Sequence, residues 1–184
     1  MTIFNISEAE DLVKSRIKNK NLLKHMYAVQ VSMKALAREL SEDEELWELV
    51  GLVHDIDYED TMNNPENHGV IGAEILKDAG YPAEVTDAVV AHVGNVERDS
   101  NLKKSIYAVD GLTGLIVACA LIKPEKKLDL ITVDFIMKKM GEKKFAAGAN
   151  RENIKSCSEL GLSLERFIGI TLEAMKSISD KIGL

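Results

Sequence analysis

An all-α fold with one central buried helix is predicted from three observations. Apolar residues recur at spacings of three and four along most of the chain. Strand signals are scarce, and only three prolines interrupt 184 residues. Hydrophobic residues make up 46% of the sequence, enough for one domain with a sizeable core and too little for two. A single domain over residues 1–184 is expected.

The elements follow in order. Ser7-Glu8-Ala9-Glu10 has the form of a capping box and should open a first short helix. A second helix is predicted from about 21 to 40, because Leu22, Met26, Val29, Met33, Leu36 and Leu40 draw one apolar stripe. Ser41-Glu42-Asp43-Glu44 is a second capping box, and Leu46, Val50 and Val53 carry the next stripe into His54. The polar stretch 57–67, with Asn63-Asn64-Pro65, reads as a loop. A helix over 68–79 should stop at Gly80. Pro82 suits the first turn of the next helix, whose stripe Val85, Ala88, Val89 leads to His92 before Gly94 and Asn95 break the pattern. A helix over 102–122 carries Leu112, Leu115, Ile116 and Val117 and should be the most buried element, ending at Lys123-Pro124. Two shorter helices and a terminal one, opened by Ser163, complete the chain.

Composition narrows the function. The net charge of -7 argues against a nucleic-acid partner, since phosphate backbones are bound by clustered Lys and Arg. A small anionic substrate stays open, because a local cation can overrule the global sign. Cys119 and Cys157 form no CxxC pattern, so a reducing compartment is expected. The stretch MTIFNISEAEDLVKS lacks a basic and then apolar leader, and no apolar run is read as long enough to cross a bilayer. A cytoplasmic protein without a membrane partner is the expectation.

The chemistry gathers around four histidines, His25, His54, His68 and His92, all in the first 92 residues. Imidazole is a common ligand for borderline cations, and a neighbouring carboxylate helps hold a cation and its water. His25 lies beside the buried stripe of its helix, and His92 continues the stripe of Val85, Ala88 and Val89. Asp110 falls in an otherwise apolar helix, where a carboxylate is costly unless paired or coordinated. His54 and Asp55 are adjacent. Any one of these has an ordinary structural explanation, but six converging on inward-facing or helix-terminal positions point to a metal site.

Lys24-His25, Leu52-Val53-His54-Asp55-Ile56-Asp57 and Asp110, in that order along a helical chain, resemble the HD-domain metal-dependent phosphohydrolases. The resemblance extends through Asn67-His68-Gly69-Val70-Ile71-Gly72-Ala73-Glu74 and Ala91-His92. It is strong over about 22–117, with C-terminal helices over about 130–184 expected to pack on that core. Many HDIG-type members carry glycine where this chain has Asp57. The lysine that follows in one phosphodiesterase branch is Tyr58 here, and Val93 rather than a second histidine follows His92. These departures weigh against a cyclic-dinucleotide phosphodiesterase.

The resemblance implies that His25, His54, Asp55 and Asp110 hold one divalent transition-metal ion (Fe, Mn, Ni, Co or Zn), with His54, Asp55 and Asp110 central to catalysis. It also implies that His68 and His92, with Asp55 as a bridge, hold a second. A water activated there would cleave a phosphate ester of a nucleotide or other small metabolite. For gripping substrate, Lys143, Lys144 and Arg151 stand in a cationic, small-residue stretch. Glu59 and Asp60, after the metal dyad, are candidates for acid/base groups or a substrate gate, Glu59 also for substrate binding, and Asp57 and Lys104 are neighbours of the site. Two other readings remain: a di-iron oxygenase using the same six ligands, and a non-catalytic module with the same fold. Substrate, metal and oligomeric state are left open.

Overall fold

Short polar side chains fix the helix starts, often one or two residues from where the hydrophobic pattern places them. The computed structural model describes residues 5–94 and 96–184, and among these it contains helix and turn but no strand. α1 (Ile6–Arg16) is capped by Asn5, whose side chain accepts the Ser7 N–H, so the expected Ser7 box is not the cap. α2 (Lys20–Leu40) is capped by Asn19 and closes with Ser41 in the left-handed region at φ 57°. Asp43 rather than Ser41 therefore caps α3 (Glu44–Val53), accepting the Glu45 and Leu46 N–H groups.

The segment expected as loop contains the single-turn α4 (Tyr58–Thr61) and a 3-10 turn at Pro65–Asn67. α5 (Val70–Asp78) begins after Gly69 and ends before Gly80, and Pro82 is the cap rather than the first residue of α6 (Ala83–His92). Gly94 turns the chain at φ 87°, while Asn95 lies outside the described residues. The long α7 (Asn101–Leu121) is capped by Ser100. It is followed by α8 (Val133–Met140), α9 (Arg151–Lys155), α10 (Leu164–Lys176), capped by Ser163 as expected, and α11 (Ser179–Ile182).

α2 and α7 form the frame. α2 packs on α3, α7 and α10, and α7 touches α2, α6, α8, α9 and α10. Leu112, Leu115 and Ile116 of α7 are wholly buried, each worth about 1.5–3 kcal/mol of apolar burial. Contrary to expectation, α7 is long and apolar enough to cross a bilayer, but its buried face here packs against other helices. α3 crosses α2 at Gly51, where a Cβ would lie 2.8 Å from Gln30 Cα and from the Val29 carbonyl oxygen. That close crossing brings the end of α3, with His54 and Asp55, against the first half of α2, with His25.

Candidate metal centre

Six side chains from five separated segments meet at one point. His25 comes from α2, His54 closes α3, and Asp55 begins the turn after it. His68 precedes α5, His92 is the last residue of α6, and Asp110 lies in the middle of α7. They form two groups able to hold a cation: His25, His54 and Asp110, and Asp55, His68 and His92.

Asp55 joins the groups. Its Oδ2 lies 3.6 Å from His25 Nε2 and 3.5 Å from His54 Nε2. Its Oδ1 lies 3.2 Å from His68 Nε2 and 3.3 Å from His92 Nε2. One carboxylate thus turns one oxygen toward each group. Asp110 Oδ1 completes the first, 3.0 Å from His25 Nε2 and 3.7 Å from His54 Nε2.

Every imidazole is oriented through its other nitrogen. His54 Nδ1 lies 2.9 Å from the Gly51 carbonyl, and His92 Nδ1 meets the Val89 carbonyl. Each carbonyl lies one turn back on the same helix and can only accept, so Nδ1 carries the proton and Nε2 faces the site. His25 Nδ1 lies 3.2 Å from Thr113 Oγ1, whose own hydroxyl donates to the Asp110 carbonyl at 2.8 Å. Thr113 Oγ1 therefore accepts the hydrogen bond from His25 Nδ1–H and ties α2 to α7.

His68 is oriented by Asp57. The Asp57 carboxylate is fully buried, with Oδ1 3.0 Å from His68 Nδ1. Its Oδ2 accepts the N–H groups of Gly69 at 2.8 Å and Gly72 at 2.9 Å, so it also caps the start of α5. Gly72 lies close under this carboxylate, since a Cβ there would stand 3.0 Å from Asp57 Oδ1 and press on it. Asp57, expected only as a neighbour, is thus a positioning group. Thr113 was not singled out by the sequence, because a threonine three residues after an aspartate on a helix carries no distinguishing pattern.

The electrostatics match the donor set. Burial resists ionisation of Asp110, but His25 and His54 beside it hold its carboxyl well below the usual range. Asp55 is held down likewise against its burial, by His54, His68 and His92. Burial opposes charge on His54, yet Asp55 and Asp110 push it up to about 9, and His68 rises against its burial to about 10 through Asp55 and Asp57. Four Nε2 atoms aimed inward include two pairs only 3.2 Å and 3.1 Å apart, His25–His54 and His92–His68. Such pairs need a shared proton or cation between them, and neutral imidazole with carboxylate suits a divalent transition metal. The residues fit such ions.

His25, Asp55, His68 and Asp110 open into a cavity of about 620 Å³, whose lining continues through Gly111, Gly114, Ala146, Gly148 and Ala149. Leu22 and Tyr58 complete it, and the Tyr58 ring, 45% exposed, stands edge-on to His68 with centroids 5.4 Å apart.

The residues expected to grip substrate do not line this cavity, although Lys143 and Arg151 line a neighbouring one that shares Gly148 and Ala149 with it. Glu59 Oε1 accepts the Lys18 and Asn19 N–H groups at 2.9 and 2.7 Å, and Asp60 pairs with Arg16 at 2.6 Å. Both carboxylates are engaged in fastening α4 to the α1–α2 junction. Arg151 donates to the carbonyls of Phe145, Ala146 and Ala149, at 2.7 and 2.6 Å for the last two, and so folds the stretch 145–149. Lys104, Lys143 and Lys144 do not line the cavity either. Cys119 and Cys157 are free, and burial pushes both thiols up to about 11.

A family model described as the HD domain matches residues 22–139, and the chain belongs to that family. Among its relatives, Ribonuclease Y of Sulfurovum sp. (strain NBC37-1) is 28% identical over 186 residues, covering 94% of this chain and 36% of that protein. Ribonuclease Y of Acholeplasma laidlawii (strain PG-8A) is 34% identical over 94 residues, covering 51% and 18%. Ribonuclease Y of Clostridium perfringens (strain 13 / Type A) is 30% identical over 139 residues, covering 72% and 27%. The chain therefore spans well under half the length of these relatives. No solved structure matches it.

Proposed function

We propose that this chain is a metal-dependent phosphohydrolase that cleaves a phosphate ester of a small metabolite or nucleotide. The observation that carries the reading is Asp55, whose two carboxylate oxygens each face a separate group of imidazole nitrogens. Divalent cations bound there would supply an activated water and a counter-charge for a phosphoryl group. The protein's own part is to present neutral Nε2 donors. It does so by tying each Nδ1 to the Gly51 and Val89 carbonyls, Thr113 or Asp57.

The test is elemental analysis of the purified protein together with a panel of phosphate mono- and diesters. His54→Ala and Asp55→Ala should lose both metal and activity. His68→Ala and His92→Ala should each lose one equivalent of metal. Full metal occupancy in His54→Ala and Asp55→Ala would overturn the assignment. Oxygen consumption by the iron-loaded protein, without hydrolysis, would assign the same ligands to an oxygenase.

A second reading, cleavage of an RNA phosphodiester, is favoured by the relatives named Ribonuclease Y. Against it stand the net charge of -7 and a cavity lining without Lys or Arg among the described residues. Comparing an RNA oligonucleotide with a mononucleotide at equal phosphate concentration separates the two.

A further inference from the structure

Two glycines in the middle of α7 are required by nothing in the packing. A Cβ built on Gly114 meets no atom within 4 Å, and one on Gly111 finds its nearest neighbour at 3.6 Å, an ordinary contact. At Gly51 and Gly72, by contrast, a Cβ would fall within 2.8–3.0 Å of a neighbour. Glycine inside a helix is less favourable than alanine, so α7 gives up helix stability at 111 and 114 without a steric reason.

Both positions line the cavity that holds His25, Asp55, His68 and Asp110. Gly111 follows Asp110 directly, and Gly114 lies one turn further on. Gly148, whose Cβ would also meet nothing within 4 Å, lines the same cavity. A side chain at 114 or 148 would therefore stand in open space at the cavity lining, while one at 111 would lie against Ala149, Asn150 and Ile154. Lys24 lines the adjoining cavity that shares His25 and Gly114, and Lys143 and Arg151 line the one that shares Gly148 and Ala149. Among the described residues no Lys or Arg lines this cavity itself, so the lining favours an uncharged group.

Resting on the phosphohydrolase reading, we propose that the bare backbone at Gly111, Gly114 and Gly148 is the surface on which the uncharged part of the substrate lies. The substrate class is a phosphate monoester of a compact or flat neutral alcohol, its phosphate at the metal centre and its organic group against α7. A cavity of about 620 Å³ is in the range of sites for small organic ligands.

The experiment compares Gly114→Ala and Gly114→Leu with the wild type, all metal-loaded, using p-nitrophenyl phosphate and inorganic phosphate as probes. Gly114→Ala should raise the melting temperature by about 1–4 °C, because a helix glycine is replaced without a clash. Metal content should be unchanged in both. Gly114→Leu should weaken p-nitrophenyl phosphate at least tenfold, in KM and in calorimetric binding, while inhibition by inorganic phosphate stays within twofold. Equal loss of ester and phosphate binding, no loss of either, or a lowered melting temperature in Gly114→Ala would each overturn the proposal. Binding of the ester without hydrolysis by the wild type would remove the phosphohydrolase reading and leave the wall standing.

Discussion

At the scale of single residues, Asp57 does two jobs with two oxygens. Oδ1 faces His68 Nδ1, and Oδ2 accepts two backbone N–H groups at the start of α5. An amide cannot accept on both sides. In Asp57→Asn the amide oxygen can still accept from Gly69 and Gly72, but the NH2 would then face His68 and force the proton onto Nε2. Groups that orient a ligand histidine typically control 10–100-fold in metal affinity. Asp57→Asn should therefore weaken one of two metal equivalents by about 10–100-fold and leave the other bound, as read by metal titration. Two equivalents bound with wild-type affinity would show that Asp57 serves only α5. Asp57→Gly, which restores the residue common in HDIG-type sequences, should in addition lower the melting temperature through loss of the helix cap.

At the scale of elements, the least regular stretch is the turn before α9. Ala146 is held in the left-handed region at φ 45°, a conformation that disfavours a Cβ, and it lines the cavity. Arg151 fixes this turn by donating to three carbonyls from one planar guanidinium. An arginine expected to bind substrate thus also braces a stretch that lines the cavity. Arg151→Ala should cost about 1–3 kcal/mol, since it leaves three partly buried carbonyls without this donor. Arg151→Lys should recover only part of that, because a single ammonium lacks the planar fork. Urea melts measure the cost, and limited proteolysis reads the turn. Unchanged stability and no new cleavage between 141 and 150 would show that the turn holds without Arg151.

At the scale of the whole molecule, the six residues able to hold a cation come from α2, the end of α3, the approach to α5, the end of α6 and α7. A cation bound by all of them couples these elements, so it should stabilise the whole fold. At a hundred times its dissociation constant a ligand adds about 2.7 kcal/mol, here about 5–10 °C of melting temperature. The pH dependence should reverse with metal content. In stripped protein, His54 and His68 titrate near 9 and 10 against about 6.5 when unfolded, so their contribution is complete below pH 6.5 and is lost as pH rises through those values. Asp55 and Asp110, held low, contribute above about pH 4 and lose that contribution on acidification. Stripped protein should then be most stable between about pH 4 and 6.5 and weaken toward pH 9. Loaded protein should gain stability from pH 5 to 8, because the cation binds deprotonated imidazole. Melting curves of both forms across pH 5–9 test this, and parallel trends would contradict it.

Much of this was legible in the residues alone. The apolar stripes of α2, α3 and α7 have the helical period, so the all-α class and the approximate place of the main helices follow from neighbours in sequence. The caps of α1 and α3, however, lie at Asn5 and Asp43 rather than at the expected serines. His25, His92 and Asp110 stand out because imidazole and carboxylate on apolar faces are costly without a partner, and the resemblance to HD domains adds His54, Asp55 and His68. Substrate-side residues were not legible in that way. Lys143, Lys144 and Arg151 carry the right charge, but where a side chain ends depends on which carbonyls the folded chain leaves open to it. The six residues of the candidate metal centre are named by the sequence, whereas the oxygen-by-oxygen division of Asp55 between two groups depends on the close crossing of α2 and α3 at Gly51. Glycine at 51, 72, 111 and 114 is one letter in the sequence. Only the packing around each separates those that a neighbour forbids to change from those that leave a cavity open.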